Sequence, residues 1–80
     1  IMSKKLFEII AKIMKVPISE INDDSGPKTI PSWTSFNGYV LLHELVTYYK
    51  IQFTIDEAMD VEKISDIKRH LKNHGVNLDD

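Results

Sequence analysis

The chain has 80 residues, of which 42% are hydrophobic and 28% are charged, a balance typical of a single small globular domain spanning residues 1–80. It contains no cysteine, which excludes disulfide bonds, thiolate metal sites and thiol catalysis. Its formal net charge of −2 argues against a nucleic-acid-binding protein, because such proteins usually carry a basic excess.

The first third of the chain predicts one amphipathic helix followed by a long loop. Helix one is expected over residues 3–15, because Ser3 can cap its start and Pro17 disfavours the helical conformation at Val16. Its expected buried face consists of Leu6, Ile9, Ile10, Ile13 and Met14. The following segment, PISEINDDSGPKTIPSW, contains all 3 prolines and predicts a structured loop. Its expected anchors to the core are Ile18, Ile21, Ile30 and Trp33.

Helix two is predicted over residues 35–50, and its apolar side chains cover an arc wider than one buried stripe requires. That arc consists of Phe36, Tyr39, Val40, Leu42, Leu45, Val46 and Tyr49. The stretch IQFTI alternates like a strand, but a single strand would have no partner. We therefore expect an extended connector that buries Phe53, with Ile51 as a second candidate for burial. A short third helix is then expected within DEAMDVEKI, with either Thr54 or Asp56 as its cap.

The segment SDIKRHLKNHG predicts the last helix, capped by Ser65 or Asp66 and closed by Gly75. Its buried face is expected to contain Ile64, Ile67 and Leu71. The predicted fold is therefore all-α: a small antiparallel bundle of three main helices plus one short helix, with a long loop between the first and second helices.

Most polar side chains have a structural interpretation. The acids near predicted helix starts favour the helix dipole, and nothing pairs them for acid–base catalysis. His70 and His74 lie four residues apart and could share a metal ion, but two ligands near a helix end make a poor site, and we expect no metal. His43 is interpreted as a surface residue, with a partner contact as the alternative.

The aromatic residues of helix two suggest either a base-stacking surface or a mixture of core packing and a protein-binding patch. The second interpretation is favoured, because helix two carries no arginine or lysine beside Tyr39 and Tyr48. Ser35 could simply cap helix two, as could Thr34. A self-contained hydrolase is excluded, because His43 lies about two helical turns from Ser35, too far to act as its base.

The order of these elements resembles the acyl carrier protein family, including its peptidyl and aminoacyl carrier domains. The resemblance covers nearly the whole chain, with VPISEINDDSGPKTIPSWTSFNGYVLLHELVTYYKIQF similar to the family's loop and second helix. The run Trp33-Thr34-Ser35-Phe36 aligns with the family's Asp-Ser-Leu-type motif, and DEAMDVEKISDIKRHL is similar to its last two helices. The resemblance implies a covalent 4′-phosphopantetheine arm on Ser35, attached by a phosphopantetheinyl transferase, and no enzymatic activity of its own.

The resemblance also implies partners: an acyl- or aminoacyl-loading enzyme and the synthases of a specialised lipid, polyketide or nonribosomal peptide pathway. Two positions depart from the family pattern, because Thr34 replaces the usual acid and Phe36 follows the serine. Helix two also offers a single acid, Glu44, where the family usually has several. Partner recognition is therefore expected to be mainly apolar, through Thr34, Phe36, Tyr39, Val40, His43 and Glu44.

The alternative is a helical protein-interaction module that keeps the carrier fold without the arm; Thr34 and the poorly acidic helix two favour it. A small DNA-binding domain is disfavoured by the negative charge. No apolar run approaches the about 20 residues of a membrane span, and no signal peptide is recognisable, so we expect a cytoplasmic monomer. Ile1 is interpreted as a residue added for expression ahead of a natural start at Met2.

Overall fold

A computed structural model describes residues 3–79, and all regular structure in this range is helical. The described elements are α1 (Lys4–Met14), a 3-10 helix (Ile18–Glu20), α2 (Ser35–Tyr49), α3 (Ile55–Asp60) and α4 (Ile64–Asn73). Three longer helices, one short helix and a long first loop confirm the predicted all-α bundle. The prediction that IQFTI is not a strand is also confirmed, because residues 51–54 form a connector without regular structure and Ile55 begins α3.

One cluster of buried apolar side chains joins α1, α2 and α4, and it confirms most of the predicted faces. The cluster contains Leu6, Ile10 and Met14 from α1, Leu41 and Leu45 from α2, Ile64, Ile67 and Leu71 from α4, Ile21, Ile30 and Trp33 from the loop, and Leu78 from the tail. Ile51 and Phe53 of the connector pack against it half-buried. α3 contributes no buried side chain, so its attachment to the bundle depends on its neighbours.

Ile18 is the one predicted loop anchor that lies outside the core, with 45% of its surface exposed. It precedes Ile21 by one turn of 3-10 helix, which keeps both side chains on the same side of the chain. Ile21 reaches the core, whereas Ile18 lines the surface cleft that the two residues share. The prediction that Ile18 anchors the loop to the core is therefore wrong, because Ile21 occupies that place and the side chain of Ile18 lies at the surface cleft.

The start of α4 is capped by the long loop, so the predictions of Ser65 and Asp66 as N-caps are wrong. The backbone N–H of Ile64 donates to the carbonyl of Ser25 at 2.9 Å, and that of Ser65 donates to the carbonyl of Asp23 at 2.9 Å. Asp66 instead lies inside the first turn, where its carboxylate accepts from the backbone N–H groups of Glu62 and Lys63. These bonds, that from Glu62 above all, hold the pKa of Asp66 below its usual value.

The two ends of the described chain are joined by Ser3. Its backbone N–H donates to the carbonyl of Leu78 at 2.7 Å, and its hydroxyl donates to the same oxygen at 3.4 Å. Ser3 precedes α1 as expected but makes no side-chain cap bond, because its hydroxyl bonds to the tail instead. At the end of α4, Gly75 has a φ of 85°, and its N–H donates to Lys72, which confirms its predicted role in closing the helix.

Gly26 generates a stability prediction, because a Cβ at this position would overlap the carbonyl oxygen of Glu62. Gly26→Ala should lower the free energy of unfolding by about 1–3 kcal/mol, since the loop would have to move away from the start of α4. Urea unfolding monitored by circular dichroism measures the change. Lys28→Ala is the matched control in the same loop, because Lys28 is exposed and its loss should cost under about 0.5 kcal/mol. Equal stability of the two variants would contradict the tight contact between loop and α4.

Candidate functional site

The candidate site lies at the head of α2, where Thr34 is the cap and Ser35 is the first helical residue. The hydroxyl of Thr34 accepts a hydrogen bond from the backbone N–H of Asn37 at 3.1 Å. The structure thus decides between the two predicted caps in favour of Thr34. Ser35 is left with an exposed hydroxyl, and within residues 3–79 that hydroxyl makes no hydrogen bond.

The backbone that carries Ser35 is fixed on its N-terminal side. The hydroxyl of Ser32 donates to the carbonyl of Met14 at 2.6 Å, which ties the end of the loop to the end of α1. The side-chain amide of Asn37 donates to the carbonyl of Ser32 at 2.8 Å. Trp33 is buried, and its Nε1 lies 3.3 Å from the point where a Cβ on Gly38 would stand. A glycine at position 38 therefore lets the indole lie close against α2, one turn from Ser35.

Four other serines either bond to the backbone or lie away from the head of a long helix. Ser25 is buried, and its hydroxyl accepts from the backbone N–H of Asn22 at 2.9 Å. Ser3 and Ser32 are bonded to backbone carbonyls, as described above. Ser19 is exposed in the 3-10 helix, away from the head of a long helix. Ser35 combines exposure with a position at the positive end of the α2 dipole.

An apolar cleft of about 380 Å³ opens beside Ser35. Tyr39 and Leu42 line it from α2, and Ala58 and Val61 line it from α3 and the residue that follows. Trp33, Leu41 and Ile67 belong to both the cleft and the core, while Pro27 and Gly38 complete the lining. The volume lies within the range of about 300–1,000 Å³ that is usual for small-molecule sites. Sequence reasoning missed this cleft, because Pro27, Ala58 and Val61 reach it from segments far apart in the chain.

The residues predicted to bind partners lie along α2 with different degrees of exposure. Phe36 is 74% exposed and Tyr39 is 72% exposed, so neither ring belongs to the core. His43 and Glu44 are exposed one to two turns further along, and Val40 is half-buried. The structure therefore leaves two aromatic rings accessible near Ser35 and shows that part of the wide apolar arc faces outward.

α3 adds an exposed apolar pair that sequence reasoning missed. Ile55 and Met59 are each 78% exposed, and they lie four residues apart on one side of the short helix. Ala58, between them in sequence, lines the cleft instead. The i, i+4 spacing of Ile55 and Met59 is a usable signal, but the alternating pattern of IQFTI places Ile55 in the predicted connector. Exposed apolar side chains thus occur on both helices that flank the cleft.

Among the described residues, the ionisable groups whose pKa values are shifted lie on α3 and α4 rather than at Ser35. Glu57 accepts the backbone N–H of Thr54 and faces His74; these contacts, the first above all, lower the pKa of Glu57. The Arg69 guanidinium, and then His70, lower the pKa of Asp60. Within residues 3–79 no group of three or more histidine, aspartate or glutamate side chains is arranged to hold a metal ion.

Comparisons of the sequence with protein-family models and with curated proteins gave no match. In the described part of the chain, no helix is both long enough and apolar enough to cross a membrane. The functional interpretation therefore depends on the head of α2, the adjoining cleft and the resemblance of the elements and motifs.

The cap geometry generates a second stability prediction. Thr34→Ala should lower the free energy of unfolding by about 1 kcal/mol, because it removes the acceptor for the N–H of Asn37. Thr34→Ser should retain most of the stability, since serine is an equally good cap. Thr47→Ala is a control on the same helix: its hydroxyl bonds to the carbonyl of His43 within α2, and its loss should cost much less. Equal losses in urea unfolding for the two alanine variants would contradict a specific role for the cap.

Proposed function

We propose that this protein is a carrier whose Ser35 bears a 4′-phosphopantetheine arm. The thiol of the arm holds acyl or aminoacyl groups as thioesters and presents them to partner enzymes. The observation that supports this proposal most is the free, exposed hydroxyl of Ser35 at the head of α2, beside an apolar cleft. The order of helices, which matches that expected from the resemblance, supports it further.

The position of Ser35 suits both attachment of the arm and its retention. A transferase would join the serine oxygen to the phosphate of the arm and release the nucleotide half of coenzyme A, while the hydroxyl proton leaves to a base of the transferase. An exposed hydroxyl at a helix terminus is accessible to such an enzyme. The positive end of the helix dipole then favours the negative phosphodiester.

The cleft offers the carrier a second function, which is partial shelter for the arm or its cargo. Its apolar lining favours methylene groups over water, and it begins at Thr34 and Ser35. The side chains of Leu42, Ala58 and Val61 would contact an apolar chain that enters from Ser35. We propose no single cargo, since fatty acyl, aminoacyl and polyketide groups all begin at the same thioester.

The partners of this carrier would be a phosphopantetheinyl transferase, an acyl- or aminoacyl-loading enzyme and the synthases of a specialised pathway. Docking would use the exposed apolar residues of α2, with Phe36 and Tyr39 nearest Ser35 in sequence. Glu44 is the single acid of α2, so long-range steering by charge would contribute less than direct apolar contact.

A second candidate function is an interaction module that has the carrier fold and no arm. The exposed pairs Phe36 with Tyr39 and Ile55 with Met59 favour it, because such side chains promote protein association whether or not an arm is present. Thr34 favours it as well, since the residue before the serine supplies no carboxylate. Modification of Ser35 distinguishes the two candidates.

Attachment to Ser35 is the first functional prediction. Incubation of the purified protein with coenzyme A, magnesium and a broad-specificity phosphopantetheinyl transferase should add one arm, detected by intact-protein mass spectrometry and localised by peptide mapping. Ser35→Ala should abolish the addition. Ser19→Ala is the matched control, because Ser19 is also exposed and lies on the 3-10 helix. An arm on any other serine would contradict the assignment to Ser35, and no arm with an active transferase would favour the interaction module.

Docking through aromatic side chains is the second functional prediction. Phe36→Ala and Tyr39→Ala should each raise the KM of the transferase by roughly tenfold or more, because an aromatic side chain at the centre of an interface often contributes about 2 kcal/mol. Both residues are exposed, so the free energy of unfolding should change little. Glu44→Ala should change KM by less than about fivefold, as an exposed charge contributes under about 1 kcal/mol. A KM that rises strongly with salt and ignores the aromatic changes would show electrostatic docking instead.

A further inference from the structure

A second and larger cleft lies between α1 and the long loop, and the proposed carrier function does not use it. Its volume is about 690 Å³, which is within the range usual for small-molecule sites. It is lined by Lys4 and Phe7 of α1 and by residues 18, 19 and 21–24 of the loop. None of these residues lines the cleft beside Ser35. We call this second site the α1–loop cleft.

Three apolar side chains line the α1–loop cleft. Phe7 is half-buried, Ile21 belongs to the core, and Ile18 is 45% exposed. Ile18 and Ile21 are one turn of 3-10 helix apart, so their side chains lie next to each other. A ligand that covers Ile18 and the accessible part of Phe7 would remove their apolar surface from water, which favours binding.

The loop edge of the α1–loop cleft is held in place by polar contacts. The side-chain oxygen of Asn22 accepts from the backbone N–H of Asp24 at 2.8 Å, and the carbonyl of Asp23 accepts a backbone N–H of α4 at 2.9 Å. The ammonium of Lys68 lies 2.7 Å from a carboxylate oxygen of Asp23 and 4.9 Å from the centroid of the Phe7 ring. Lys68 thereby links the loop edge to α1. A cleft held in this way needs little ordering when a ligand binds, which favours affinity.

The charges around the α1–loop cleft are paired except for that of one lysine. Asp23 pairs with Lys68, and the carboxylate of Asp24 lies 4.0 Å from the ammonium of Lys63. Lys4 is exposed and forms no ion pair within residues 3–79. A ligand with a single negative charge would complete this pairing at Lys4. A more highly charged group would be repelled by the carboxylate of Asp24, which is 87% exposed.

One ligand chemistry fits both the apolar lining and the unpaired cation. Lys4 and Phe7 are three residues apart on α1, which brings the ammonium to the edge of the apolar lining. We propose that the α1–loop cleft binds a small amphiphilic molecule with one carboxylate and an aliphatic chain. The carboxylate pairs with Lys4, and the chain lies along Phe7, Ile18 and Ile21. The ligand is a free molecule, because a concave site of this volume covers one chain from several sides. Its binding does not depend on an arm at Ser35.

NMR titrations of the unmodified chain with decanoate, decanol and decylammonium, all below their micelle concentrations, test the proposal. The three probes have the same aliphatic chain and differ in the charge of the head group. Decanoate should shift the methyl signals of Ile18 and Ile21 to saturation and should bind about threefold more tightly than decanol, as expected for one exposed ion pair. Decylammonium should bind no more tightly than decanol. Signals of Leu42 and Ala58, which line the cleft beside Ser35, should shift only at higher concentrations.

Two variants and their controls separate the contributions of the charge and of the apolar lining. Lys4→Gln should bring the affinities for decanoate and decanol within about twofold of each other. Lys28→Gln is its control, because Lys28 is an exposed cation of the loop that lines neither cleft. Ile18→Asn should weaken the binding of all three probes by about tenfold, whereas Met59→Asn, an exposed position on α3, should not. Circular dichroism checks that each variant is folded.

Several results would overturn the proposal, and the first of them needs no variant. Decanoate that fails to saturate the signals of Ile18 and Ile21, or saturates them only above its micelle concentration, would exclude a binding site for single molecules. Decanol or decylammonium that binds as tightly as decanoate would exclude the pairing with Lys4. Equal effects of Lys4→Gln and Lys28→Gln would exclude that pairing too, and equal effects of Ile18→Asn and Met59→Asn would exclude the cleft.

Discussion

The contact between the long loop and the start of α4 is the constraint on which the rest of the structure depends. Two backbone N–H groups of α4 donate to the carbonyls of Asp23 and Ser25, and Gly26 lets the loop approach the carbonyl of Glu62. The ion pair of Lys68 with Asp23 at 2.7 Å reinforces the contact. A loop held at its middle reaches the head of α2 along one path, which fixes where Trp33 and Ser35 lie.

That path also explains why a cleft exists. Trp33 lies against Gly38 at the end of the loop, while Pro27 approaches the same space from the middle of the loop. α3 is too short to bury a side chain of its own, so it covers the remaining side incompletely. A cleft lined by core residues therefore opens beside an exposed hydroxyl, an arrangement that a more completely packed bundle would lack.

The proposed carrier function uses more than one side of the short helix α3. For a carrier, α3 supplies Ala58 and Val61 to the shelter and Ile55 and Met59 to the outer surface. Its acids also contact histidines of the α4 segment. α3 thus contributes to the cleft, to the outer surface and to the contact with α4.

The sequence by itself determined the helices and most of the core. Periodic spacing alone identifies buried residues such as Leu6, Ile10 and Leu71. Gly75 ends its helix through its own backbone conformation, which is also a local property. Tertiary structure decided the interactions that join distant segments. Ser3 bonds to Leu78, the loop caps α4, and Ile18 gives way to Ile21 at the core. The cleft beside Ser35 and the contacts of His70 and His74 with the acids of α3 belong to the same group. The local sequence pattern determines which face of a helix is apolar. Caps and histidine contacts depend instead on which distant groups the packed chain brings within hydrogen-bond distance, and clefts depend on which distant segments pack side by side.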